Sequence, residues 1–426
     1  MKFFLVFFIT IFIVWGRIQA GIAQTVWTWN QCVHQVAARN LDLLAAQQAV
    51  QSAQALHLAS LGQFFPHFSI SASANEPAEF GGLANAFQGP YPNQNVQYGL
   101  NITQDIFSGF KDISNVNLTS AQLELAKAQF IQTQAQVSYD LKTSFYQLLY
   151  AQQLISLLKT IIARQKVNMN LVDLDFKGGT DNKGSYLEAE ASYRESVFEL
   201  HEAIRALKVD QGQLNQVLGR NPLKSIQVQG QFTIPKVPLS PNYQELALKT
   251  PAYKEAFAQF HEAQSQKMNA QGNFLPTISA TASLFRQGYE FLQTQPAWSA
   301  GLQVSLPIFT GGENWFSLKS TEAAQTGAFE NLKNVRLNAI STLESDYVAY
   351  ANAIEQIRLL KFELKAAQVQ EVISKAEYLN GLINYIEWSQ VDNELTNQQK
   401  AELSGLITEK IDAANWQLAQ GIGAIP

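Results

Sequence analysis

FLPTISATAS, residues 274–283, repeats in kind what FFPHFSISAS, residues 64–73, does 210 positions earlier. In both, an aromatic or Phe-Leu pair leads into a proline, Pro66 or Pro276, and small polar residues then alternate with apolar ones. A period of two marks a strand whose faces meet different surroundings. Phe68, Ile70, Ala72 and Ala74 oppose Ser69, Ser71, Ser73 and Asn75; Ile278, Ala280, Ala282 and Leu284 oppose Thr277, Ser279, Thr281 and Ser283. A second strand follows each. Val96, Tyr98, Leu100 and Ile102 alternate with Gln97, Gly99, Asn101 and Thr103, and Trp298, Ala300, Leu302 and Val304 with Ser299, Gly301, Gln303 and Ser305. Each run is close to the ~9 to 11 residues that carry a tilted strand across a bilayer. Aromatics gather at the ends: Phe64, Phe65, Phe107, Phe274 and Phe309 at one, Tyr289, Phe291 and Trp298 at the other. Apolar outside, polar inside and aromatic at both rims is the pattern of a membrane barrel. A soluble sheet with one wet face is the plainer alternative for any strand alone.

The duplication extends along the chain. YGLNITQDIFSG (98–109) matches AGLQVSLPIFTG (300–311) at an offset of 202, and FKGGTDN (176–182) matches YLNGLIN (378–384) at the same offset. The spacing predicts a first repeat over 24–220, with a β-hairpin at 66–107, a long helix at 111–176, a tip turn at 177–184 and a return helix at 185–218. The second covers 244–426, with a hairpin at 276–309, a long helix at 313–378, a turn at 379–386 and a helix at 388–420. An irregular proline-bearing linker, 221–243, divides them. Each long helix, free of proline, would make a rod of roughly 100 Å, several times a bilayer core. Such helices, polar over much of their circumference, pack laterally as a coiled-coil-like wall.

Composition limits function. Apolar residues are 46% and charged ones only 15%, the formal charge is −5, and no basic run offers itself to nucleic acid. The opening MKFFLVFFITIFIVWGRIQAGIAQ reads as a signal peptide over 1–23, cleaved after Ala20 or Ala23. The single cysteine, Cys32, permits no intrachain disulfide and reads as a structural apolar residue. His201-Glu202 and His261-Glu262 are followed four residues after the histidine by Arg205 and Ser265, so neither is a zinc-binding HExxH motif. No cofactor or metal set and no catalytic constellation is legible, which points away from an enzyme.

The chain resembles the TolC-like outer-membrane efflux protein family over its whole mature length. The resemblance is carried by VAARNLDLLAAQQAV (36–50), LNQVLGRNP (214–222), the FFP and FLP turns, DIFSGF (105–110), PIFTGG (307–312) and the two glycine tips, in this order and duplicated. It implies an α+β membrane fold: a homotrimer in which four strands per protomer build one twelve-stranded transmembrane β-barrel in outer-membrane lipid, continued by a long periplasmic α-helical barrel. Four strands alone cannot close a membrane barrel, since the smallest have ~8. The function it implies is the passive exit duct of a tripartite efflux or type I secretion system, fed by an inner-membrane pump of RND or ABC type through a periplasmic adaptor (membrane fusion) protein. A coiled-coil scaffold with soluble sheets and a self-contained porin are the other readings of the residues. It further implies adaptor docking at the tips, Gly179, Asn182, Gly381 and Asn384, whose plain structural role is helix capping. A periplasmic gate is implied at Glu387, six residues after Gly381, with Tyr378 three before it. The chain departs from that pattern at Ile383, where an arginine is expected, and at Gln390, where a second acid is expected. Asn384 and Glu387 also have the spacing of a capping box.

Overall fold

The computed structural model describes residues 26–75, 95–288 and 294–425. The expected signal peptide, the loop between Asn75 and Asn95, and Tyr289 and Phe291 lie outside the described residues. The described residues begin with a short strand β1 (Val26–Thr28) and helices α1 (Trp29–Arg39) and α2 (Leu41–Ser60), followed by a 3-10 turn at Leu61–Phe64. Then come β2 (His67–Asn75), β3 (Asn95–Phe107) and the helices α3 (Lys111–Gly178) and α4 (Lys183–Val217). Strand β4 (Gln227–Gln229) and helices α5 (Tyr243–Ala247) and α6 (Pro251–Gly272) lead to β5 (Thr277–Gly288) and β6 (Gln295–Ser305), and the chain closes with α7 (Glu313–Leu379) and α8 (Tyr385–Gln420).

Pro66 and Pro276 stand directly before β2 and β5, and Phe65 is already extended at φ −109°, ψ 153°. A proline cannot continue the helix and biases the residue before it toward extended geometry, so helix gives way to strand at that point. The second hairpin ends sooner than 309. Its last strand stops at Ser305, two residues before Pro307, which has no N–H to offer a ladder. The four long strands pair antiparallel in the order β2-β3-β5-β6. Across this register Phe68, Ile102, Ala282 and Ala300 form one apolar row, and Ile70, Leu100, Leu284 and Trp298 the next; the opposite face carries Ser69, Asn101, Ser283 and Ser299. Asn101 Nδ2 donates to Ser71 Oγ at 2.8 Å and Ser283 Oγ donates to Asn101 Oδ1 at 2.9 Å, stitching the polar face. The apolar face is bare: Ile70 is 86% exposed and Leu302 73%.

Helix α3 is the spine. On the side nearer the sheet the lateral order is α2, α3, α6, α7, and on the far side α4, α3, α8, α7. Edge strand β2 therefore continues the α2/α4 flank, and edge strand β6 the α7 flank. Both flanks carry uncovered apolar lines. Leu187, Phe198 and Val209 on α4 recur every eleven residues, as do Leu337, Val348 and Leu359 on α7, and all six are exposed. Eleven residues are about three helical turns, so each set stacks in a line along its helix.

The linker region is more ordered than the sequence reading of 221–243 suggests. Within it β4 pairs in parallel with β1, matching Trp27 to Val228, and Gln152 on α3 extends the ladder by accepting from Val228 N–H (3.0 Å) and donating to its carbonyl (2.8 Å). A primary amide has the donor and acceptor of a peptide group, which lets three residues hold as a strand against a helix. Beneath lies the main core: Cys32, Val36, Leu141, Phe145, Leu148, Leu214, Leu218 and Ile226. Burial there pushes the Cys32 thiol up to about 12, so it remains protonated and inert. No described helix is long and apolar enough to cross a membrane.

Candidate functional site

The far end of the helices is built by two turns of the same design. In the first, Gly179 adopts φ +77°, and Thr180 N–H donates to Asp175 O at 2.9 Å. In the second, Gly381 adopts φ +71°, and Leu382 N–H donates to Glu377 O at 2.9 Å. Left-handed glycine returns the chain to satisfy the last helical carbonyls, and asparagine then restarts the helix. Asn182 accepts from Ser185 N–H at 3.1 Å, and Asn384 from Glu387 N–H at 3.0 Å. The return helices consequently begin at Lys183 and Tyr385, and the turns are tighter than 177–184 and 379–386.

Glu387 closes a capping box, its Oε2 accepting from Asn384 N–H at 3.0 Å, while the residue stays exposed. Its counterpart Ser185 is buried and accepts from Asn182 Nδ2 at 3.2 Å, so the acid is confined to the second turn.

Tyr378 joins the two turns. Its hydroxyl lies 2.9 Å from Asp175 Oδ2 and 3.1 Å from Asp181 Oδ2, both on the first turn, and its ring stacks on Trp388 with centroids 4.8 Å apart. Burial, then the two carboxylates, raise the phenol's pKa well above its ordinary value, which keeps the donor proton in place. Around it Val172, Ala189, Tyr385 and Trp388 form a small apolar plug. Ile383, at the position where the resemblance expects arginine, packs against this plug, and Gln390 is exposed. A cleft of about 580 Å³ remains, edged by Asp175, Asp181, Tyr378, Tyr385 and Glu387.

A second junction lies further from the tip. Arg164 on α3 reaches across to α8, with Nε 2.8 Å from Asp392 Oδ1, Nη2 donating to Thr396 Oγ1 at 2.6 Å and Nη1 to Gln399 Oε1 at 3.2 Å. Gln165 Nε2 donates to the other oxygen, Asp392 Oδ2, at 2.6 Å. Sequence reading missed this set. The one local signal is Asp392, Thr396 and Gln399, which stand at i, i+4 and i+7 on one face of α8. No group of three or more His, Cys, Asp or Glu suited to a metal ion occurs among the described residues.

A sheet with one bare apolar face, set on a wall of long helices, fits a channel protein of the outer membrane. The profile of the outer membrane efflux protein family matches residues 32–220 and 242–424, and the chain belongs to that family. Solved structures share its fold. The Campylobacter jejuni CmeC outer membrane channel superposes with a TM-score of 0.82 at 18% identity, over 92% of this chain and 85% of its own. The Vibrio cholerae outer membrane protein VceC gives 0.80 at 19%, over 92% and 96%, and a Pseudomonas aeruginosa membrane protein 0.83 at 17%, over 92% and 93%. No curated protein matches the chain in sequence.

Proposed function

We propose that this outer-membrane channel is the passive exit duct of a tripartite efflux or type I secretion system. Three protomers close one twelve-stranded barrel and the helical tunnel beneath it. The observation that carries the reading is the pair of unfinished flanks. β2, α2 and α4 end one side of the protomer, β6 and α7 the other, both strand edges are unpaired among the described residues, and both helical flanks show apolar lines. Unlike flanks that complement each other make a head-to-tail ring, and a bilayer tolerates no open strand edge. Two copies would give an eight-stranded barrel whose bore side chains fill; three give one wide enough to conduct.

In this reading Tyr378 with Asp175 and Asp181 holds the tip closed, and Glu387, recurring around the axis, sets the charge of the entrance. A periplasmic adaptor docks on the turns marked by Gly179, Asn182, Gly381 and Asn384, and an inner-membrane pump supplies the energy. The test is reconstitution in planar bilayers with and without crosslinked adaptor and pump partners copurified from the native membrane. Small conductance from the protein alone and a large increase with the partners is the expected result. A wide, ungated conductance from the protein alone would instead favour a porin.

A further inference from the structure

The polar face of the sheet carries a single Phe, Tyr or Trp among its described residues, Phe285 on β5. Its row across the register is Ser71, Gly99, Phe285 and Ala297, so one large ring stands among three of the smallest side chains. The fit to Gly99 is close. A Cβ at Gly99 would run into Leu284 O and lie 2.6 Å from both Phe285 Cα and Phe285 Cβ, so the root of the Phe285 side chain occupies the space that glycine leaves. The ionisable residues of this face among those described, His67 and Asp105, lie at the end beside the helices, and the rows around Phe285 offer only hydroxyls and amides. Phe285 is three residues from the end of β5, about 10 Å along the strand from its outer end.

An aromatic residue paired with glycine across a sheet also stabilises it by covering bare backbone. That structural role accounts for an aromatic beside Gly99, whereas the lipid face is where a ring costs no solvation. A ring on the water-filled side costs solvation, while it offers a π face to whatever passes. We propose that Phe285, repeated around the bore, is a contact site for planar aromatic cargo of low charge near the outer mouth. This rests on the exit-duct reading, and it narrows the cargo class to organic molecules with an aromatic plane.

The test is equilibrium dialysis of the protein in lipid nanodiscs, with empty nanodiscs subtracted, using rhodamine 6G and, as a non-aromatic cation of the same charge, tetrabutylammonium. The expected result is retention of rhodamine 6G by the wild type, about five-fold weaker in Phe285→Ala and Phe285→Leu and kept in Phe285→Tyr, with tetrabutylammonium indifferent to all three. Phe285→Leu keeps apolar bulk beside Gly99, and its melting temperature set against that of the wild type separates ring chemistry from folding. Unchanged retention in Phe285→Leu, equal loss of both probes, or no retention by the wild type overturns the proposal. The same preparations are inserted in planar bilayers: absence of any wild-type conductance sinks the exit-duct reading, whereas conductance with unchanged rhodamine retention sinks the aromatic site alone.

Discussion

Arg164 and Asp392 are joined at 2.8 Å across α3 and α8, and Asp392 has a side-chain exposure of 5% against 19% for Arg164. Removing one partner leaves the other charge buried and unpaired, which costs about 3 kcal/mol, whereas replacing both by apolar side chains of similar volume is close to neutral. Asp392→Ala should therefore melt well below the wild type in detergent. The double variant Arg164→Met with Asp392→Leu should recover most of the loss. A double variant no better than Asp392→Ala would show that the hydrogen bonds to Thr396 and Gln399, rather than the ion pair, hold the two helices together.

The two apolar lines make assembly testable from either side. Phe198→Glu on α4 and Val348→Glu on α7 place a charge where, in the proposed trimer, each flank meets its neighbour; both residues are exposed in the single protomer. Native mass measurement in mild detergent should give a trimer for the wild type and a shift toward monomer for each variant. A wild-type monomer under those conditions would remove the basis for a shared barrel.

The face assignment of the sheet has its own test. Leu302→Arg puts a cation on the lipid side near mid-bilayer, at about 2 to 4 kcal/mol, and should hinder assembly; Ser305→Arg, on the opposite face, should assemble and change conductance. Equal assembly defects in the two would mean that the sheet does not divide lipid from water.

What was legible in the sequence follows from the range of each signal. Alternation in FFPHFSISAS and FLPTISATAS is local, and proline acts on its nearest neighbours, so strands, faces and helix ends can be read without knowing what they touch. Gly179, Asn182, Gly381 and Asn384 were readable as caps for the same reason. Tyr378 could be placed only by its distance from Gly381; that its hydroxyl meets Asp175 and Asp181, about two hundred positions away, depends on how the two repeats pack. The Arg164 junction and the seating of Phe285 against Gly99 are of this second kind. The eleven-residue lines on α4 and α7 were available but faint, because the polar residues between them mask a stripe only one residue wide.

Tyr378 gives a prediction in pH. Its pKa is raised in the folded tip, so the stability it contributes is fully present below the ordinary tyrosine value, near pH 10, and is lost as pH rises above it. The wild-type tip should loosen in alkaline solution, read as rising conductance in planar bilayers or faster proteolysis near residues 176–184. Tyr378→Phe keeps the stacking on Trp388 and loses the hydrogen bonds to the two carboxylates, worth about 1.5 to 3 kcal/mol. It should be looser at neutral pH and lack the alkaline transition. An alkaline transition that persists in Tyr378→Phe would assign it to another group.

On the exit-duct reading Glu387 has two roles, cap and entrance charge, and one substitution separates them. Its carboxylate accepts from Asn384 N–H, and its own N–H donates to the Asn384 side chain, so it caps α8; it is also exposed at the edge of the tip cleft, where the exit-duct reading places the entrance. Glutamine preserves the first role, since a capping box accepts either residue, and abolishes the second. With Gln390 where a second acid is expected and Ile383 packed into the apolar plug, neither supplies a charge to offset or supplement Glu387. In a trimer the substitution removes three negative charges from one narrow ring, where the field acts on every passing ion. Glu387→Gln should therefore keep its melting temperature while losing cation preference and block by a trivalent cation added on the periplasmic side. Glu387→Ala, which loses the cap as well, should show the same electrical change with a stability cost of about 1 kcal/mol. If the trivalent cation blocks Glu387→Gln as strongly as the wild type, Glu387 serves only to start α8, and the charge that governs entry lies elsewhere, with Asp175 and Asp181 across the cleft the next to be changed.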